Sequence, residues 1–184
     1  MKSVASKKNK KSPLKRKETI FEKVLTHSHK KEMIFYINQH ANSFEEAIKL
    51  SLAHKPPYSW RAAWLLWGCM KKNDSRIQKH VKSFICILPK IKDNQKREIL
   101  KILEKMNIPE KLEGLLYSHC ATIWVEVNHQ PSVRFYALKS LIKTAQKYPE
   151  LSAEVVLLTQ NQYTETLTAG IYKSVKKMLL KIKK

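Results

Sequence analysis

Three tryptophans and several groups of lysines are the residues whose types and spacing could support a function. Trp60, Trp64 and Trp67 recur at intervals of four and three residues, which places their indole rings on one face of a helix. Such a face most often packs into a hydrophobic core, although in nucleic-acid-binding proteins it stacks on bases. We therefore expect core packing and keep base or partner stacking open as the functional alternative.

Basic residues recur at helical spacing in three later segments of the chain. A basic stripe on one helix face matches the phosphate backbone of a nucleic acid, particularly where neighbouring helices bring two stripes together. The alternative is that these lysines only solvate the outer faces of their helices. The predicted nucleic-acid-binding residues in these segments are Lys101, Lys105, Lys139, Lys143, Lys147, Lys173, Lys176, Lys177 and Lys181.

The N-terminal segment is basic and poor in apolar residues. The chain has 36 lysines and arginines and a net charge of +21, and eight of those cations lie in residues 1–17, which contain no acid. This composition predicts a disordered tail at 1–28, followed by a folded domain at 29–184. Cations in such a tail add affinity for polyanions without regard to sequence. The tail residues expected to contact phosphate are Lys7, Lys8, Lys10, Lys11, Lys15, Arg16 and Lys17.

Groups that could catalyse a reaction or bind a metal are sparse. Asp74 and Asp93 are the only aspartates, and both stand where a helix needs an N-terminal cap. His27 and His29 are close in sequence, but no third ligand follows at metal-binding spacing. The three glycines are isolated, so the sequence has no glycine-rich phosphate loop. We therefore predict no catalytic residue, no metal and no cofactor.

The elements that position these residues are helices. From about residue 30, apolar residues recur at helical spacing, and prolines or short polar clusters interrupt the pattern. We expect about nine helices and no strand. The expected helices lie at about 30–41, 44–53, 58–70, 75–88, 94–106, 110–127, 133–147, 151–160 and 164–184.

An internal repeat connects alternate helices of this series. Arg61, Arg97 and Arg134 are 36 and 37 residues apart, and each occurs early in its helix. Independent helices have no reason to keep such a spacing. Stacked two-helix units do, because each unit buries its apolar face only against its neighbours. The spacing predicts about four helical hairpins in series and a C-terminal helix.

The segment 130–151 resembles a HEAT repeat. Pro131 opens its first helix, Arg134 follows one turn later, and an Ala-Leu-x-x-Leu pattern from residue 137 forms the packed face. A looser resemblance extends over 57–88 and 95–120. The chain is therefore similar to the HEAT-like, or armadillo-type, α-solenoid family. This resemblance implies an all-α, right-handed solenoid that acts as a scaffold or clamp, with the repeated arginine holding neighbouring helices together.

A more distant resemblance is to the alkylpurine DNA glycosylases of the AlkD type. These HEAT-like enzymes use aromatic residues and a carboxylate on a basic concave surface, and no aspartate accompanies the tryptophan series here. We place three functions in order. The first is a non-catalytic module that contacts nucleic acid phosphates, the second is a protein–protein interaction scaffold with an acidic partner, and the third is such a glycosylase.

Cysteine usage and hydropathy bear on localisation. Cys69, Cys86 and Cys120 lie in apolar helical patterns without paired spacing, which indicates buried thiols in a reducing compartment. No apolar stretch reaches the length of a transmembrane helix. We therefore predict a cytoplasmic protein without stable membrane insertion, and the oligomeric state stays open.

Overall fold

The computed structural model describes residues 17–180, and within them the chain is α-helical with no strand. The all-α prediction is thereby confirmed. Short 3-10 turns occupy Leu88–Lys90 and Pro149–Leu151. The helices are α1 Ile20–His27, α2 Lys30–Gln39, α3 Ser43–Leu52, α4 Tyr58–Cys69, α5 Ser75–Gln78, α6 Val81–Ile87, α7 Asp93–Glu104, α8 Glu110–Val125, α9 Pro131–Lys147, α10 Ser152–Leu157, α11 Asn161–Thr164 and α12 Ala169–Leu179.

Helix α1 lies inside the segment that we expected to be a disordered tail, so the predicted domain boundary at 28/29 is too late. Thr19 Oγ1 accepts a hydrogen bond from the backbone N–H of Glu22, and the Glu22 carboxylate accepts one from the N–H of Thr19. This capping box starts α1. Phe21 and Leu25 are buried against the rest of the domain. The lysines before α1 obscured this apolar pattern, and residues 1–16 lie outside the described part of the chain.

Two of the expected helices are interrupted. The segment 75–88 contains α5 and α6, because the N–H of His80 donates to Ile77 O in a tight i→i+3 bond that ends α5. The C-terminal helix begins at Ala169 rather than at residue 164, after a similar bond from Leu167 N to Thr164 O. The cysteine prediction also needs a correction, because Cys86 on α6 is exposed.

The helices pack in series and share one hydrophobic core. One row runs through α4, α7, α9 and α12, each packed against the next, and a second row runs through α3, α6 and α8. Helices α3 and α4 pack along each other, as do α8 and α9. The core is continuous from Phe21 in α1 to Leu179 in α12. Burial of each unit against its neighbours is the arrangement of a repeat solenoid.

Basic side chains join neighbouring units of the stack, but the pattern differs at α7. The half-buried Arg61 donates from Nε to Leu25 O of α1, and the buried Arg134 donates from Nε to Trp124 O of α8 at 2.8 Å. Arg97 instead donates to Glu98 on its own helix. Two other cations of α7, Lys96 and Lys101, are buried, and Lys96 is the fourth residue of its helix, as Arg61 and Arg134 are of theirs.

Candidate ligand-binding surfaces

The two predicted phosphate-binding lysines of α7 belong to the helix stack. Lys101 is 9% exposed, and its Nζ lies 2.6 Å from Glu98 Oε2 and 3.8 Å from the centre of the Trp67 ring. Lys105 Nζ donates to Trp67 O at 2.8 Å, where α4 ends and its last carbonyls lack helical partners. Both ammonium groups already have acceptors within the protein, and a phosphate contact at Lys101 and Lys105 stays a prediction.

The lysines of α9 reach toward acids of α7 and α8. Lys139 Nζ pairs with the Glu104 carboxylate of α7, and Lys147 Nζ lies 2.9 Å from Glu113 Oε2 of α8. Hydrogen bonding with Tyr148 and Glu113 raises the pKa of Lys147. Lys143, between these pairs, is exposed; its Nζ lies 3.5 Å from a backbone oxygen, Glu104 O, and its charge acts on the Glu113 carboxylate over a longer distance. Among the described residues, Lys143 is therefore the one α9 lysine of the three that forms no ion pair with a carboxylate.

A groove of about 370 Å³ lies between α7, α8, α9 and α12, and we call it the α9 groove. Apolar side chains form most of its interior, and the α9 lysines stand at its rim together with the two glutamates that they contact. It thus combines an apolar interior with a charged margin, which is the usual composition of a ligand-binding pocket. Its interior includes Leu100, Leu103, Ile108, Leu116, Ile142 and Met178, and its rim consists of Lys139, Lys143, Lys147, Glu104 and Glu113.

The tryptophan series of α4 is half-buried, and cations lie over its rings. Trp64 and Trp67 pack against the core. Lys30 Nζ lies 5.7 Å from the centre of the Trp64 ring, and Lys105 Nζ lies 4.7 Å from that of Trp67, so both contacts are of the cation–π type. The fully buried tryptophan is Trp124 of α8, outside the series that the sequence analysis singled out. Its helical spacing from Leu116 and Cys120 was the available signal.

The lysines of α12 have the opposite environment. Val175 and Leu179 face the core, whereas Lys173, Lys176 and Lys177 are exposed and make no ion pair within residues 17–180. Lys17 is likewise exposed. The α12 lysines are therefore available to a ligand. The remaining predicted phosphate contacts, at Lys7, Lys8, Lys10, Lys11, Lys15, Arg16 and Lys181, lie outside the described residues.

A polar cluster that the sequence analysis missed joins the α8–α9 loop to the start of α7. His129 Nδ1 lies 2.7 Å from Asp93 Oδ1, and its Nε2 lies 2.9 Å from Glu126 Oε2. Asp93 also accepts a hydrogen bond from Gln130 N at 2.6 Å, so it is not an N-cap, a position that belongs to Lys92. Both ring nitrogens of the histidine have protein partners. We therefore interpret the cluster as a clasp between two units and not as an acid–base site.

The buried Lys96 lies beside this clasp. Its Nζ is 3.4 Å from His129 Nε2, and burial lowers the pKa of its ammonium group because the charged form loses solvation. The 36-residue separation of Asp93 and His129 is one repeat length, which was the only sequence signal for their contact. No group of three or more His, Cys, Asp or Glu side chains within residues 17–180 is arranged to hold a metal ion.

Comparison with known proteins gives one match. A family model described as a HEAT repeat domain matches residues 17–182. No curated protein and no solved structure matches the chain. In the part of the chain that the structure describes, none of the helices has the length and apolar character needed to span a membrane.

Proposed function

The chain belongs to the HEAT repeat domain family, a family of repeat-based binding scaffolds, and we propose that its ligand is nucleic acid, bound without catalysis through the phosphate groups. The observation that carries this proposal is a surplus of exposed lysines that have no carboxylate partner. Such fixed charges attract polyanions and release counterions when phosphates replace them. The exposed lysines without an ion pair in residues 17–180 are Lys17, Lys23, Lys30, Lys31, Lys49, Lys71, Lys72, Lys82, Lys90, Lys92, Lys111, Lys143, Lys173, Lys176 and Lys177.

The acids of the domain do not balance these lysines, because many are occupied within the fold. Glu22 and Glu98 are buried and pair with Lys55 and with Lys101. Asp74 is buried at the start of α5. Their negative charges are therefore neutralised locally and leave the surface positive. A ligand that carries one charge per nucleotide suits such a surface better than a protein partner, whose interface centre is depleted of charge.

The α12 lysines are the part of this surface that we place at the interface. They lie on consecutive turns of one helix, with the spacing that a phosphate backbone can follow. We leave the α7 lysines out of this interface because their ammonium groups already contact acceptors within the protein, and we expect those of α9 to contribute chiefly through Lys143. The proposed interface is therefore smaller than the set of basic stripes predicted from the sequence, and it consists mainly of the exposed lysines of α12.

The proposal is tested by fluorescence polarisation of the full chain with labelled single-stranded DNA, double-stranded DNA and RNA of one length. We expect binding at 50 mM salt that weakens steeply by 200 mM and varies little with sequence. Replacing Lys173, Lys176 and Lys177 by glutamine is expected to lower the slope of log affinity against log salt by about two to three, since each phosphate contact contributes roughly one.

A matched charge change provides the control for this experiment. The double variant Lys139→Gln/Lys147→Gln removes two lysines that already pair with glutamates, so its salt slope should change much less than that of the α12 variant. Absence of binding at 50 mM salt to all three nucleic acids would refute the proposal. Equal effects of the two variants would place the interface away from α12.

A protein ligand is the second candidate, because HEAT repeats generally mediate protein interactions. It requires a partner with an acidic surface. Affinity capture with the full chain before and after nuclease treatment separates the two candidates. If a captured protein that also binds the chain when purified stays bound after nuclease treatment, protein binding is favoured. If every captured protein is lost after nuclease treatment, nucleic acid is favoured.

A glycosylase is not supported by the environment of the tryptophan series. Glu98 is linked to this series through Lys101, which lies over the Trp67 ring; its carboxylate is 1% exposed and is held by Arg97 and Lys101. A base displaced from DNA could not reach this carboxylate without breaking both contacts. Release of alkylated bases above background in an excision assay would reverse this conclusion.

A further inference from the structure

The α9 groove has the size and the lining of a site for a small apolar group. Its volume of about 370 Å³ is within the range of small-molecule sites, roughly 300–1,000 Å³. The side chains of Leu100, Leu103, Leu116 and Ile142 line it, and each is at most 6% exposed. Two turns of an α-helix, about 10 Å wide with side chains and about 11 Å long, need roughly twice this volume. A single hydrocarbon chain therefore suits the groove better than a helix does.

The rim of the α9 groove determines the charge of the ligand. Lys139 and Lys147 are matched by Glu104 and Glu113, so the rim carries one unmatched positive charge, that of Lys143. A ligand with a single negative charge completes this balance. A head group with two or more negative charges would place its excess close to both glutamates, where like charges repel.

We propose that the α9 groove binds a monoanionic amphiphile, an unbranched aliphatic carboxylate whose chain lies along the leucine and isoleucine side chains and whose carboxylate contacts Lys143. A charge-assisted hydrogen bond from an ammonium to a carboxylate is among the stronger polar contacts in proteins. The chain contributes by leaving water for an apolar interior. This binding goes beyond the proposed contact with nucleic acid. Lys143 belongs to both surfaces, but the α12 lysines are not part of the groove, so dodecanoate can bind whether or not nucleic acid does.

Isothermal titration of the full chain with dodecanoate, below the concentration at which dodecanoate forms micelles, tests the proposal. We expect a one-to-one complex with a dissociation constant in the micromolar range. Dodecanol and dodecyltrimethylammonium, which have the same chain with a neutral or a cationic head, should bind at least five times more weakly. Equal binding of all three would overturn the proposal, because the rim would then have no part in recognition.

Two variants separate the head group from the chain. Lys143→Gln should weaken dodecanoate about tenfold and leave dodecanol unchanged, since only the charged contact is lost. Ser140→Leu fills the groove from α9 and should weaken both ligands. The control is Lys111→Gln, an exposed lysine of α8 outside the groove, which should bind dodecanoate as the native chain does.

The same variants distinguish a free carboxylate from an anionic lipid surface. Sedimentation with vesicles of mixed neutral and anionic phospholipid should show no dependence on Lys143 beyond that of Lys111. If dodecanoate affinity is the same in Lys143→Gln and the native chain, the proposed site is wrong. Because Lys143 is exposed, this variant is expected to keep the native melting temperature, so the comparison does not depend on whether Ser140→Leu folds.

Discussion

The interior of the helix stack and its C-terminal helix carry lysines at similar spacing and use them in opposite ways. Lys101 of α7 is buried against Glu98 and the Trp67 ring, whereas Lys176 of α12 is exposed and lies over the ring of Tyr172 on its own helix. The difference arises from the number of neighbours. Helix α7 is packed between α4 and α9, and α12 packs on α9 at the end of the described stack.

The acceptors around a basic stripe decide its role. Lysines surrounded by acceptors of the protein stabilise the fold, and lysines without such acceptors are free to bind a ligand. A cation inside the stack satisfies carbonyl and carboxylate groups that would otherwise be buried without partners, and its removal leaves them unsatisfied. A cation on the outer face of the last helix can exchange water for a ligand. We therefore expect replacement of a cation inside the stack to lower the free energy of unfolding much more than replacement of a cation on α12.

The largest effect is expected at Arg134. Its guanidinium is fully buried and donates to Trp124 O, to Tyr163 O and to Thr166 Oγ1. Arg134→Met removes the donor from two backbone carbonyls, that of the buried Trp124 and that of the half-buried Tyr163, which at roughly 1–3 kcal/mol each destabilises the fold by about 4 kcal/mol. Urea unfolding followed by circular dichroism measures this loss.

Lys96→Met is the matched control for Arg134→Met, because Lys96 is the buried cation at the same helix position. Within residues 17–180 its ammonium has one long contact, with a histidine nitrogen, and no carbonyl acceptor, and the charges of Asp93 and Glu126 act on it only at longer range. Exchange of a poorly paired buried charge for an apolar side chain of similar length should change stability by less than about 1 kcal/mol. Equal losses in the two variants would show that burial of the side chain, rather than its hydrogen bonds, decides the effect.

Lys101→Met is expected to have the next largest effect. It removes one of the two cations that hold the buried Glu98 carboxylate and also the ammonium over the Trp67 ring. Breaking a buried ion pair costs about 3–5 kcal/mol, and we expect the lower end because Arg97 still contacts Glu98. The double variant Lys101→Met/Glu98→Leu should recover most of this loss, and failure to recover it would mean that Glu98 is not the reason for it.

The sequence predicted α9 well because that helix follows the repeat pattern closely. Its proline start and its end at Lys147 agree with the structure to within two residues. It did not predict α1, whose apolar residues follow a long basic segment, nor the clasp of Asp93 and His129. Helical periodicity describes residues that are neighbours on one helix. A contact across a repeat depends on how two units are placed against each other, which periodicity does not specify.

The same limit explains the lysine stripes. Helical spacing alone predicts that charged residues are exposed. The lysines of α12 are exposed, because α12 has a solvent-facing side. The prediction does not hold for α7, where Gln95, Lys96, Glu98 and Lys101 are all buried between flanking helices. Charged residues on the packed faces of a helix must pair within the protein, whereas those on a solvent-facing side, such as Lys143 of α9, need not. The only indication in the sequence that α7 lies between two other helices is its place in the middle of the predicted series of hairpins.

The ion pair between Arg76 and Asp74 at the start of α5 is intermediate between the buried pairs of α7 and the exposed lysines of α12, because its acid is buried and its cation is exposed. The Arg76 guanidinium and the backbone N–H groups of Lys71 and Arg76 hold the pKa of Asp74 at about 2, below its usual 3.8. A depressed pKa means that the native state favours the carboxylate. Its stabilisation, about 2 kcal/mol, is complete well above pH 4 and is lost as the pH falls from about 4 to about 2.

The variant Asp74→Asn isolates this charge because asparagine also caps a helix. The difference in free energy of unfolding between native chain and variant should be about 2 kcal/mol at pH 7 and should nearly vanish at pH 2. Glu110→Gln, at an exposed first-turn residue of α8, is the control for removal of a carboxylate and should change the free energy of unfolding at pH 7 by less than about 0.5 kcal/mol. A difference that stays constant between pH 7 and pH 2 would assign the effect of Asp74 to its shape rather than to its charge.

The smallest effect on stability is expected where the effect on binding is expected to be largest. The triple replacement of Lys173, Lys176 and Lys177 by glutamine removes three exposed cations that have no carboxylate partner, so the free energy of unfolding should change by less than about 0.5 kcal/mol. A slight increase is the expected sign, because the variant lowers the net positive charge of the domain and with it the self-repulsion of the compact state. This sign can be checked by repeating the unfolding at 500 mM salt, where screening should abolish the difference. A large loss of stability would mean that α12 uses its lysines as α7 does, and the division between interior and terminal cations would then fail.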